Sequence, residues 1–225
     1  MNSKMYSKDH FIIVEGIDGC GKGTIVNALA KELSEKYKLK SYDIRKQPRL
    51  NFNAELIISA EPSYFETGLK IREFLKEIEQ YDKKTVDYLA ELFSNDRLFL
   101  YQKILLPALE KDHYVIQERS VISSLVYQGY EYAFLKGNKF ALQHPATVFI
   151  LDVDPEIAMN RLNKREKKDQ AYFERLDFLK RIRMEYLSET LYNILKKNGF
   201  NVYYIKNNAD VENSMNKIKS ILNLE

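Results

Sequence analysis

Phe11-Ile-Ile-Val-Glu-Gly-Ile-Asp-Gly-Cys-Gly-Lys-Gly-Thr24 carries a short apolar run into a glycine-rich loop and then into a helical pattern. Phe11–Val14 is apolar and β-rich. From Lys22 onward, apolar residues return at Ile25, Val26, Leu29, Ala30 and Leu33, the spacing of one helix face. Gly16, Gly21 and Lys22 fit the phosphate-loop pattern G-x-x-x-x-G-K-[ST] up to its last position, where Gly23 stands and Thr24 follows one residue late. Glycines let successive backbone N–H groups turn inward around phosphate oxygens, and the helix N-terminus adds positive potential. Gly16, Ile17, Asp18, Gly19, Cys20, Gly21, Lys22, Gly23 and Thr24 are therefore the expected nucleotide triphosphate site. Lys22 would reach the outer phosphates, and a nearby hydroxyl would help to hold Mg²⁺. The strand–loop–helix context disfavours a merely structural glycine turn.

The 225 residues suit one α/β domain over 1–225, large enough to bury a substantial core. Charged residues make up 30% and hydrophobic residues 45%, ordinary values for a soluble globular protein. The net charge of +3 is too small to argue for a nucleic-acid partner. The polar start MNSKMYSKDH lacks the apolar centre of a signal peptide, and no apolar run has the length of a membrane span. The single cysteine, Cys20, excludes an internal disulfide and fits a reducing cytosol, so a cytoplasmic protein is expected. A small side chain at a permissive loop position explains Cys20 better than a redox switch.

Strand and helix patterns alternate along the chain without repeats or low-complexity linkers. Strands are expected at Phe11–Val14, Leu56–Ser59, Tyr114–Gln117, Thr147–Val153 and Val202–Ile205. Helices are expected after the glycine loop, over Thr67–Glu79, over Thr85–Leu109 with Pro107 in the last turn, over Ser123–Leu135, from Glu156 to Leu162, over Phe173–Asn198 and over Val211–Leu222. Lys38–Asn53 reads as polar and irregular. The alternation predicts a five-stranded parallel sheet covered on both faces, a three-layer α/β/α architecture of the P-loop NTPase type. Ligands of such sheets sit beyond the carboxyl ends of the strands, where Glu15-Gly16, Glu61-Pro62, Glu118-Arg119 and Asp152 all fall.

Three further groups suggest chemistry at that edge. Arg119 suits bidentate contact with phosphate oxygens, and Glu118 beside it suits water-mediated Mg²⁺ coordination; a strand-end ion pair is the plain alternative. The charged connector Asn163-Lys-Arg-Glu-Lys-Lys-Asp169 could be a solvated loop. Most charge runs are that, yet this one joins two helices on the sheet side expected to hold phosphates. A basic lid over about 163–172 is physically reasonable there, and its Arg165 matches a transferring phosphoryl group. Phe93 and Arg97 share a helix face four residues apart and could stack and hydrogen-bond a flat base. Their spacing alone does not separate this from a core ring beside a surface charge.

Taken in order, these segments resemble thymidylate kinases of the P-loop nucleoside monophosphate kinase group. FIIVEGIDGCGKGT is similar to that family's first strand and phosphate loop, and EPSYFETGLKIREFL keeps its spacing between Glu-Pro and Ile-Arg. ELFSNDR resembles its thymine-binding helix, ERSVISSLVYQG its Asp-Arg-Tyr…Tyr-Gln-Gly segment, and LDVDPEIAMNRL followed by YFE its fourth strand and post-lid helix. The resemblance implies transfer of a phosphoryl group from Mg·ATP to dTMP, with a homodimer as the assembly. It implies that Asp18 contacts the 3′-hydroxyl and that Arg72 and Arg119 hold the acceptor phosphate. Phe93 would stack on thymine, Arg97 would bond its exocyclic oxygen, Ser124 would line the base edge, and Tyr127 would pack under the sugar with Gln128 in the same motif. With no arginine between Gly16 and Gly21, the catalytic cation is expected from the lid as Arg165, acting with Lys22, Arg119 and Glu118.

The chain departs from the pattern at several points. Gly23 replaces a Ser or Thr, giving a Gly-Lys-Gly-Thr form similar to adenylate and UMP/CMP kinases, and Thr24 and Glu118 become the metal candidates. Ala60 replaces the arginine common before Glu-Pro, Glu118 replaces Asp, Ser120 replaces an aromatic residue, and Lys38–Asn53 is long. Glu118-Arg119-Ser120 and Glu61-Pro62 also resemble deoxynucleoside kinases, which phosphorylate a nucleoside 5′-hydroxyl. A P-loop ATPase or nucleotide-binding switch is the remoter alternative.

Overall fold

The computed structural model describes residues 6–164, 173 and 175–224. Its parallel strands are β1 (Phe11–Glu15), β2 (Ser41–Asp43), β3 (Leu56–Ala60), β4 (Tyr114–Glu118), β5 (Thr147–Asp152) and β6 (Asn201–Lys206). They form one sheet in the order β2-β3-β4-β1-β5-β6. Every residue of β1 and β3 is buried, which requires cover on both faces, as the continuous apolar runs predict.

The sheet has six strands rather than the expected five. The additional one, β2, lies in the segment read as irregular and pairs Ser41, Tyr42 and Asp43 with Leu56, Ile57 and Ile58. It carries no apolar run because it is a short edge strand held by its ladder and by stacking of Tyr42 on Phe52, whose ring centroids are 4.7 Å apart.

The helices are α1 (Lys22–Tyr37), α2 (Glu66–Glu77), α3 (Lys83–Leu100), α4 (Leu106–Leu109), α5 (Val121–Tyr127), α6 (Lys136–Leu142), α7 (Pro155–Asn163), α8 (Leu176–Tyr186), α9 (Glu189–Lys197) and α10 (Val211–Ile221). The long helix expected over Thr85–Leu109 contains a π-helical turn at Tyr101–Leu105 between α3 and α4. The helix expected over Ser123–Leu135 ends early, because Gly129 adopts a positive φ and a 3-10 turn follows at Tyr130–Phe134. The helix expected over Phe173–Asn198 is two helices. Ser188 breaks it and caps α9 by accepting a hydrogen bond from the Leu191 amide.

Helix α6 was not expected, since Lys136–Leu142 shows little apolar periodicity. It is placed by close approach to α3: the Gly137 amide donates to Ser94 Oγ at 2.9 Å, and a Cβ on Gly137 would lie 1.8 Å from the Ser94 carbonyl oxygen. Only glycine permits that contact, which brings the neighbouring Asn138 against Arg97 of α3. Gly137→Ala should cost about 1–3 kcal/mol of folding free energy through overpacking. A urea midpoint equal to that of the parent protein would contradict this packing.

Candidate active site

The parallel register brings the strand ends together: Ala60 pairs with Glu118, and Glu118 with Val14. Beyond these ends lies one cavity whose walls include Asp18, Tyr64, Arg72, Phe93, Arg97, Glu118, Arg119, Ser124, Tyr127 and Gln128. It gathers all eight residues proposed for the acceptor nucleotide. The glycine loop adjoins it through Asp18. Gly21 takes φ 95° and opens α1, so the chain turns from loop to helix where a side chain would be strained.

Lys22 is buried with its ammonium directed back onto the loop, donating to the Gly16 carbonyl at 3.0 Å and the Ile17 carbonyl at 2.9 Å. Asn207, after β6, supports the loop from below by donating to the Cys20 carbonyl at 2.6 Å, while Ser214 fixes its amide oxygen at 2.7 Å. Burial pushes the Cys20 thiol pKa up, against the pull of Lys22 and Arg119, so it is no ready nucleophile. Thr24 is exposed in the first turn of α1.

Arg119 occupies the left-handed region at φ 64°, an uncommon conformation for a residue with a side chain. Its guanidinium pairs with Asp18 and donates to Ser123 Oγ at 3.1 Å. Ser123 in turn donates to the buried Glu15 at 2.8 Å, as do Ser120 at 2.8 Å and the Tyr186 hydroxyl at 2.9 Å. Burial alone would raise the Asp18 pKa, but the charges of Arg119 and Lys22 and the hydrogen bonds from Tyr127 and Arg119 outweigh it and hold the carboxyl below its ordinary value. Asp18, whose implied partner is a sugar hydroxyl, is here engaged by Arg119 and by Tyr127 at 3.2 Å.

Arg97 is almost wholly buried, which settles one reading of its spacing: it is no surface charge. Nε and Nη2 grip one oxygen of Glu61 at 2.9 and 2.6 Å, Nη2 also reaches Ser124 Oγ at 3.0 Å, and Nη1 donates to Asn138. Gln117 donates to the other Glu61 oxygen at 2.9 Å. Burial pushes the Glu61 pKa up to about 7 against the opposing effect of Arg97.

Arg72 differs from the other arginines of the cavity, because among the described residues it pairs with no carboxylate. It donates to the Pro62 carbonyl at 2.5 Å and lies 4.0 Å from the centroid of the Tyr64 ring. Burial lowers its pKa. A half-buried guanidinium held by carbonyls and a π-face is a cation still in want of an anion. Gln128 donates to Tyr81 at 3.2 Å, while its buried Oε1 has no donor among the described residues.

Arg165 and most of the expected lid lie outside the described residues. Sequence reasoning missed Tyr64, which lies within the quoted EPSYFETGLKIREFL segment but was given no role, and Asn138 and Asn207, which lie outside the quoted motifs. It also missed Arg45, whose guanidinium reaches Glu118 at 3.4 Å from a segment read as irregular.

Loop, strand ends and cavity together define a P-loop nucleotide-binding protein with a second, arginine-rich pocket beside the phosphate loop. A family profile described as thymidylate kinase matches residues 14–218. Thymidylate kinases of Coprothermobacter proteolyticus and Leptospira borgpetersenii are 36% and 35% identical to the chain over 183 and 185 residues. The first alignment covers 78% of this chain and 83% of the relative, the second 80% of each. A crystal structure of thymidylate kinase from Ehrlichia chaffeensis shares the fold, with a TM-score of 0.64, 24% identity, and 95% of this chain and 97% of that one covered. This chain belongs to the thymidylate kinase family.

The lowered Asp18 pKa has a pH consequence. The folded carboxyl binds its proton more weakly than the ordinary value of 3.8, so its contribution to stability is present above that value and is lost as pH falls through the folded pKa. Asp18→Asn should therefore reduce the loss of urea-unfolding stability between about pH 6 and about pH 3. An acid limb of unchanged slope would show that the Asp18–Arg119 pair contributes nothing to it.

Proposed function

We propose that the protein transfers the γ-phosphoryl group of ATP to dTMP, giving ADP and dTDP. The observation that carries this reading is Arg72, a cation without a carboxylate partner among the described residues, in the same cavity as Arg119, Phe93 and Arg97 and next to the phosphate loop. An acceptor phosphate supplies the missing anion. An acceptor oxygen forms the new bond to the γ-phosphorus while the bond from that phosphorus to the β–γ bridging oxygen breaks. The acceptor is already anionic, so the chain must position and neutralise rather than deprotonate.

The chain's own groups divide this work. Loop amides and Lys22 hold the donor. Arg72 and Arg119 hold the acceptor phosphate, and Phe93 provides an aromatic face for the base. Arg97 has five N–H groups, and one Nη1 hydrogen is without an acceptor among the described residues; it suits an exocyclic carbonyl. Asp18 and Tyr127 lie where the sugar would pack. Arg165, on the expected lid, supplies the cation for the transition state.

The site also fits Mg²⁺. Mg²⁺ needs few protein ligands, and the Glu118 carboxylate lies 3.4 Å from where a Cβ on Gly23 would stand, at the N-terminus of α1. Glu118 would hold the ion through water, with Thr24 the nearest hydroxyl in sequence, and the ion would supply charge neutralisation at the donor phosphates. A nucleoside acceptor would instead need a general base for its 5′-hydroxyl, and it would leave Arg72 without the anion that a phosphate brings. We also propose, on the family likeness, a single catalytic unit over 1–225 with a lid near 163–172, a homodimeric assembly and a cytoplasmic location. Among the described residues no helix is long and apolar enough to cross a membrane.

A turnover panel with Mg·ATP tests the reading: dTMP should be phosphorylated and thymidine should not, and turnover of thymidine alone would overturn it. Phe93→Ala should raise the KM for dTMP by the equivalent of about 1–3 kcal/mol, the range of base–aromatic stacking, with a smaller change in kcat. Arg165→Ala should lower kcat on the order of 10³-fold with little change in KM for dTMP. Near-normal turnover would remove Arg165 from catalysis.

A further inference from the structure

Arg45 follows β2 in the polar stretch that the family likeness leaves without a role. Its guanidinium is well buried, with its side chain only 11% exposed, and it joins three elements. Nε and Nη2 grip Asp43 at the end of β2, at 2.9 and 3.0 Å. Nη2 also donates to Asn27 Oδ1 at 2.5 Å, one turn along α1 from Gly23. Nη1 donates to Glu118 Oε2 at 3.4 Å.

That same Glu118 oxygen is the one 3.4 Å from where a Cβ on Gly23 would stand. The glycine, the long carboxylate and the distant arginine therefore form one arrangement. Glu118 lies at contact distance from the Gly23 position in the first turn of α1, and Arg45 fixes the carboxylate from the far side. Asp43 faces Arg45 and, at 3.8 Å, the exposed Lys46, so Glu118 is not the only counter-charge of Arg45. Glu118 is thus oriented without losing its attraction for a cation. A plain structural ion pair between strands would not need the Asn27 contact, which sets the guanidinium against the helix whose N-terminus carries the phosphate loop.

We propose that Arg45 is a positioning residue for the metal-holding carboxylate, and that the 38–53 segment exists in part to deliver it to Glu118. The proposal rests on the reading of Glu118 as a metal-holding group, and its test separates the two. Mn²⁺ serves as the probe, with free ion counted by electron paramagnetic resonance in the presence of the full-length protein and ADP, so no turnover is needed. Groups that orient a metal ligand typically contribute about 10–100-fold to affinity. Arg45→Met should weaken Mn²⁺ binding by about tenfold, Glu118→Gln should weaken it at least as much, and the double variant should be no weaker than Glu118→Gln alone.

Arg45→Lys keeps a cation but not the three-way fork, and it covers the case in which the methionine variant does not fold. It too should lose affinity. Unchanged Mn²⁺ binding in a folded Arg45 variant, beside a weakened Glu118→Gln, overturns the role of Arg45 alone. Fully additive losses in the double variant do the same. Unchanged binding in Glu118→Gln overturns the metal reading of Glu118 and the proposal with it.

Discussion

A parallel sheet whose strands all finish at one edge crowds the residues that follow them into a single rim. Here that rim holds Glu15, Glu61, Glu118 and Arg119, together with Arg45, Arg72 and Arg97 from neighbouring segments. Charges this close and this poorly hydrated must find partners, since an isolated buried ion is far costlier than a paired one. The rim's order follows from that requirement. Arg97 takes Glu61, Arg119 takes Asp18, Arg45 takes Asp43 and reaches Glu118, and Glu15 gathers hydroxyls. The pairings fix the angles of the side chains and so shape the cavity.

Among the described arginines of the rim, Arg72 stands outside this scheme. Arg72 has carbonyls and an aromatic face where the others have carboxylates. A guanidinium held this way keeps its charge, and that marks where an anion belongs. Tyr64 matters because a ring can hold a guanidinium in place without cancelling its charge.

The phosphate loop was legible from the sequence because its chemistry is local: the glycines, the lysine and the flanking patterns lie within fourteen consecutive residues. Four inner strands were legible because burial on both faces leaves continuous apolar runs. Strand β2 was not, since ladder hydrogen bonds at an edge leave no mark on composition. Helix boundaries failed at Gly129 and Ser188, where a positive φ and a cap interrupt an apolar pattern that continues. Phe93 and Arg97 were found by spacing, but spacing could not show that Arg97 is buried, because its partners Glu61 and Asn138 lie 36 and 41 residues away. The contact between Arg45 and Glu118 spans 73 residues and depends on strand order, which no local pattern encodes.

The Asp18–Arg119 pair makes occupancy of this part of the rim an exchange reaction. A ligand that draws Arg119 toward itself must outbid a carboxylate already in contact with it, and it must leave Asp18 with some other donor. An uncharged group alone offers Arg119 no counter-charge in that exchange. A phosphate offers oxygens to the arginine, and the sugar hydroxyl attached to it can compensate the aspartate. If the acceptor binds as proposed, the resting ion pair would work as a threshold, set by the ligand's own charge and by the presence of both halves of a nucleotide.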